Sequence, residues 1–182
     1  MTLPTNIKTE QKTLILGIGN TLCGDDGAGI RAVEMLETRQ LPSTVRVMNA
    51  GLPGWALPSW FENWQNVILI DALEMGENPG TWRQFQLRPL PLGLQDQDKS
   101  VKFLLQSEVI SLHQPDLANG LALAEALDLL PSNLSLYGIQ PSTISVGHPL
   151  SKAVHQCLPG LIARILNDLG KGIYEPKTNF TC

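Results

Sequence analysis

The sequence predicts an α/β fold of three layers, with a mostly parallel, twisted sheet of about five strands flanked by helices. Three observations predict it. Short apolar runs such as Thr13–Gly19 and Asn66–Ala72 lack polar alternation, which marks strands buried on both faces. Segments with an apolar stripe at helical spacing lie between such runs, and that alternation argues for parallel pairing through right-handed crossovers. The chain has 182 residues, 43% hydrophobic and 16% charged, which suits one domain with its own core over 1–182 and excludes a disordered tail protein.

Each element follows in order. Residues 1–11 read as a flexible tail. Thr13–Gly19 is the first strand, and Asn20–Gly27 is a polar, Gly-rich loop. From Ala28, Ile30, Val33, Met35 and Leu36 make an apolar face opposite Arg31, Glu34 and Glu37, until Leu41-Pro42-Ser43 stops the helix. Val45–Met48 is a second strand, and Leu52–Trp64, with Pro53 and Pro58, is a short interrupted helix. Asn66–Ala72 is a buried strand with Asp71 near its C-terminal end. Thr81–Leu87 alternates like an edge strand, and 88–107, rich in Pro, Gly and Gln, reads as a mobile loop. A helix is expected over Asp116–Leu130 with Asp116 as its N-cap. A last strand is expected over Leu134–Ile139, and a final helix over Pro149–Leu169 with Gly170 beyond its end. Residues 175–182 read as a second tail.

Composition also limits function. Net charge is −4 with no Lys/Arg block, so a nucleic-acid surface is not expected. Cys23, Cys157 and Cys182 are widely spaced and form no CxxC, so neither a zinc knuckle nor a disulfide framework is supported. No apolar run reaches the ~18 residues of a membrane span. The N-terminus shows no secretory signal, so the expected compartment is the reducing cytoplasm.

Ligands of open α/β sheets bind outside the carboxyl ends of the strands. Asp26 follows the first strand, Asp71 closes the third, and His113 precedes the long helix at 116–130. Two carboxylates and an imidazole make a hard-to-borderline donor set that can hold a metal with positions left open, as metal-assisted hydrolysis requires. Other motifs fail. Gly17-x-Gly19 lacks the third glycine of the dinucleotide fingerprint, where Leu22 stands. No Lys-Ser/Thr follows to make a P-loop, and no Gly-x-Ser-x-Gly elbow occurs.

Four motifs in order resemble one family, the endopeptidases that mature the large subunit of nickel–iron hydrogenases. Gly17–Gly29 resembles its GxGNxLxxDDGxG loop, and Ile70-Asp71-Ala72 with Gly76 and Pro79-Gly80 resembles its D-A…G…PG segment. Ser111-Leu112-His113 resembles its S-x-H segment, and Gly138-Ile139-Gln140-Pro141 its G-[IV]-[QE]-P strand end. The resemblance spans about residues 13–165. It implies a phosphorylase/hydrolase-like fold and a catalytic, metal-binding site of Asp26, Asp71 and His113. It further implies a partner, the large-subunit precursor, whose C-terminal extension is removed while the precursor carries nickel. No organic cofactor is implied, and a monomer is expected. One departure stands out: many relatives carry an acid in a D-G-G segment where this chain has Asn49-Ala50-Gly51, which implies a different client preference.

Blander roles compete for the same residues. Asp25 or Asp26 can cap the helix from Ala28. Asp71 can be a solvated strand-end acid, and His113 a loop histidine bonded to backbone. Trp55, Trp60 and Trp64 read mainly as core, with a rim for a protein partner as the other reading. His148 and His155 belong to the last helix and its entry. A different class of function is a phosphate- or nucleotide-binding module using the Gly17–Gly29 loop and the following helix N-terminus; that loop carries two acids and no Lys or Arg, which weighs against anion binding.

Overall fold

A computed structural model describes residues 11–87, 102–105, 108–111 and 115–170, with side chains over 11–87 and 117–170. Five strands form one sheet in the order β2-β1-β3-β7-β4: β1 (Thr13–Ile18), β2 (Val45–Gly51), β3 (Asn66–Ala72), β4 (Trp82–Leu87) and β7 (Asn133–Ile139). The first four in that order run parallel, and β4 lies antiparallel to β7 at the edge. A separate hairpin pairs β5 (Lys102–Leu105) with β6 (Glu108–Ser111).

The helices cover both faces, as continuous apolar strands require. α1 (Ala28–Glu37) and α4 (Lys152–Gly170) pack on the face presented by Ile15, Ile68, Ile70, Tyr137 and Ile139. α2 (Leu57–Phe61) and α3 (Pro115–Ala126) pack on Leu14, Leu16, Val67, Leu69 and Leu136. β1 and β3 are buried along their whole length, whereas β2 at the edge is only half-buried. Fully burying each such aliphatic side chain is worth about 1.5–3 kcal/mol, so the central strands anchor the molecule.

The structure corrects several expected boundaries. The loop expected over 88–107 includes strand β5, which pairs with a second strand only two residues further on. The Pro/Gly/Gln composition of 88–100 concealed the short segment Val101–Leu105, apolar at every position but Lys102. α3 starts at Pro115, so Asp116 lies inside its first turn rather than at the cap. It ends at Ala126 rather than Leu130, because the chain turns at Asp128, which has φ 55°. α4 starts at Lys152 rather than Pro149: Ser151 caps it, its Oγ accepting the Val154 N–H at 3.3 Å. Gly170 is the last residue of α4 rather than the first beyond it. The tail expected at 175–182, and all but Gln11 of the tail expected at 1–11, lie outside the described residues.

Candidate active site

The strand order places a topological switch point between β1 and β3: the chain leaves β1 for β2 on one side, then returns to β3 on the other. Asp26 and Asp71 sit at the carboxyl ends of these two strands, where ligands of such sheets bind. Two glycines let the parts close together. A Cβ on Gly29 would lie 2.1 Å from the Ile70 carbonyl oxygen and 2.4 Å from that of Ile18, so only glycine lets α1 rest directly on the strand ends. Gly19 has φ 123°, and a Cβ there would lie 1.8 Å from the Asp26 carbonyl oxygen.

Neither acid of the loop caps α1. Its N-cap is Gly27, with no side-chain cap bond. Asp25 is buried and accepts three distant backbone N–H groups: Ser142 at 2.8 Å and Thr143 at 3.1 Å on Oδ2, and Ser151 at 2.6 Å on Oδ1. Burial alone would raise its pKa, but these donors outweigh it and hold the carboxyl below its usual range. Asp26 is also buried, at 9% exposed, and its Oδ2 accepts the Asn20 N–H at 2.9 Å.

Asp71 differs from both. It is 1% exposed, so the solvated strand-end alternative fails, and its Oδ1 has no hydrogen-bond partner. Burial pushes its pKa well above the usual carboxylate range, and the Asp26 charge pushes the same way; the Ala72 N–H pulls against them and is outweighed. A buried carboxyl with an orphaned oxygen, under the field of a second acid, is relieved by a proton or by a cation. Among the described residues no group of three or more His, Cys, Asp or Glu side chains is placed to hold a metal ion. His113 lies outside the described residues.

Sequence reasoning assigned Gln140 only to a motif. The structure shows it buried, with Oε1 accepting the Met75 N–H at 2.7 Å and the Glu77 N–H at 3.2 Å, while Nε2 donates to Glu74 Oε1 at 2.8 Å. It thereby fixes the segment that leaves β3 after Asp71. Of the three tryptophans between 55 and 64, Trp60 and Trp64 pack partly against the core, and Trp55 is 66% exposed. Cys23 and Cys157 are half-buried, and the Cys157 thiol donates to the Val154 carbonyl at 3.2 Å.

A family model described as hydrogenase maturation protease matches residues 30–168. The hydrogenase expression/formation protein HupD of Rhodobacter capsulatus is 33% identical over 161 residues, covering 87% of this chain and 71% of that protein. The hydrogenase 2 maturation protease of Escherichia coli is 29% identical over 157 residues, covering 85% and 88%. Among solved structures, the hydrogenase maturating endopeptidase HybD from E. coli superimposes with a TM-score of 0.69 at 27% identity, covering 88% of this chain and 93% of that one.

Proposed function

Because this chain belongs to the hydrogenase maturation protease family, we propose that Asp26, Asp71 and His113 are the residues with which it cuts its client. The enzyme is an endopeptidase, and it removes the C-terminal extension of a nickel–iron hydrogenase large-subunit precursor. Nickel belongs to the client: it arrives on the precursor and serves as the recognition element. The protease needs no organic cofactor and works as a monomer in the cytoplasm; among its described residues no helix is long and apolar enough to cross a membrane.

One observation carries the site assignment: the buried Asp71 carboxyl, with an orphaned Oδ1, faces the Asp26 charge. Such an arrangement is costly for an isolated protein and is relieved by a cation. Two carboxylate oxygens and the imidazole of His113 suit a divalent transition ion and leave coordination positions for the ligands it already has. Asp26, 9% exposed against 1% for Asp71, is the less deeply buried of the two acids. The nucleotide-module reading is disfavoured, because the first turn after the Gly-rich loop already holds two buried acids, Asp25 and Asp26.

The test mixes the purified protein with precursor, nickel-loaded or nickel-free, and follows the small downward shift of the precursor on a gel. Cutting of the loaded form alone is expected. Equal cutting of both forms overturns the role of nickel. Cadmium soaked into crystals and settling away from Asp26, Asp71 and His113 overturns the site.

A further inference from the structure

Three large apolar side chains stand out in water on the two loops beside the site: Leu22 is 69% exposed, Ile144 52% and Val146 78%. Leu22 lies in the loop after β1, four residues before Asp26, and the other two lie in the loop after β7. Single exposed apolar residues need no explanation, but these three share one stiff platform. The Gly147 N–H donates to the Leu22 carbonyl at 2.8 Å, the Ser145 N–H to Cys23 at 3.3 Å, the Asp25 N–H to Thr143 at 3.0 Å and the Gly24 N–H to His148 at 3.1 Å. Gly24 and Ile144 form an antiparallel bridge. The Asp25 carboxylate pins the second loop from beneath through the Ser142, Thr143 and Ser151 N–H groups. The platform therefore holds its apolar side chains in place instead of letting them turn inward.

We propose that Leu22, Ile144 and Val146 form a ledge that binds an uncharged, apolar stretch of the client's extended chain beside the bond that is cut. The inference rests on the reading that Asp26 flanks that bond. The ledge is continuous with the site, since one loop carries both Leu22 and Asp26. Four residues span at most about 15 Å between Cα atoms, and an extended peptide covers about 3.3–3.6 Å per residue, so about four or five client residues bridge site and ledge. The flanking Thr21, Ser142 and Thr143 are exposed, uncharged and able to hydrogen-bond a peptide backbone. No Lys, Arg, Asp or Glu is exposed among 20–24 or 142–150, and the neighbouring Arg31 and Glu34, which line a pocket with Thr21, Gly24 and Leu150, pair with each other, so the ledge favours an uncharged segment.

The test uses the full chain and the nickel-loaded precursor, with initial rates measured across precursor concentration. Leu22→Asp and Val146→Asp should each raise KM about tenfold or more while kcat stays within about twofold; the milder double change Leu22→Ala with Val146→Ala should raise KM by about threefold to tenfold. Wild-type KM in all three overturns the ledge. Sedimentation showing a wild-type dimer that Val146→Asp dissociates also overturns it, because the ledge would then join two copies. Asp71→Asn, assayed in parallel, separates the two readings. If that variant is inactive and the ledge variants keep wild-type KM, the ledge alone fails; if it cuts at the wild-type rate, the site assignment fails first.

Discussion

Asp25 and Asp71 carry the same side chain, are 0% and 1% exposed, and both lie at the carboxyl end of the sheet. Their surroundings set them apart. Asp25 accepts three backbone N–H groups, whereas Asp71 keeps an oxygen without a partner and faces another acid. One carboxyl is therefore held below its usual pKa and the other well above it. A buried acid whose lone pairs are filled acts as a tie between segments. A buried acid left unfilled is a strained group, and strain of that kind persists where function requires it.

The contrast can be broken most forcefully at Asp71. Asp71→Asn should cut precursor about 10²–10⁴-fold more slowly, yet melt at a higher temperature, because an unfavourably buried charge is gone. Asp26→Ala and His113→Ala should lose processing to a similar degree with the fold retained; circular dichroism checks the fold and the gel assay the activity. A variant of Asp71 that cuts normally would make the two buried acids equivalent.

Asp25→Ala should show the opposite pattern in stability. Leaving three inward N–H groups without their acceptor costs about 3–5 kcal/mol, or about 6–20 °C in melting temperature for a chain of this size. An unchanged melt would show that the three bonds tie nothing.

Opposite signs in pH dependence sharpen the comparison further. The folded pKa of Asp25 is lowered, so its contribution is present above the ordinary carboxylate range and is lost as pH falls through the folded value. Asp25→Asn should therefore flatten the acid limb of a stability profile. The folded pKa of Asp71 is raised, so between the ordinary range and the folded value the native state binds more protons than the unfolded chain, and stability falls as pH rises. Asp71→Asn should remove that decline. Denaturant midpoints measured across pH for both variants decide the signs.

The smallest effect is expected at Asn49. Its Oδ1 accepts the Gly51 N–H at 2.9 Å, a bond an aspartate oxygen also makes, so Asn49→Asp should change stability by less than about 0.5 kcal/mol. Only charge is altered at that strand end, and a shift in which precursor is cut is the expected readout; an identical client range would remove position 49 from specificity.

The sheet was legible because Leu14–Ile18 and Val67–Ile70 have apolar residues on both faces, a pattern only central strands sustain. Asp26 and Asp71 were legible as acids at strand ends, and their joining follows from the switch point. The role of Asp25 was not. Its partners lie 117 to 126 residues away and are backbone amides, which every residue but proline has, so no residue type announces them. Gln140 was hidden for the same reason, because its Oε1 receives main-chain groups 63 and 65 residues away. The hairpin at β5 and β6 was missed because its neighbours' composition dominated a short run.

β7 is the last strand among the described residues, yet it stands inside the sheet between β3 and β4. A chain still growing on the ribosome therefore leaves one hydrogen-bonding edge of β3 bare, with Asp71 at its end, until residues 133–139 emerge. The amides that Asp25 requires come later still, ending at Ser151. Chain synthesis thus sets the order of assembly, and the loops at the carboxyl end of the sheet are tied together only after most of the chain exists.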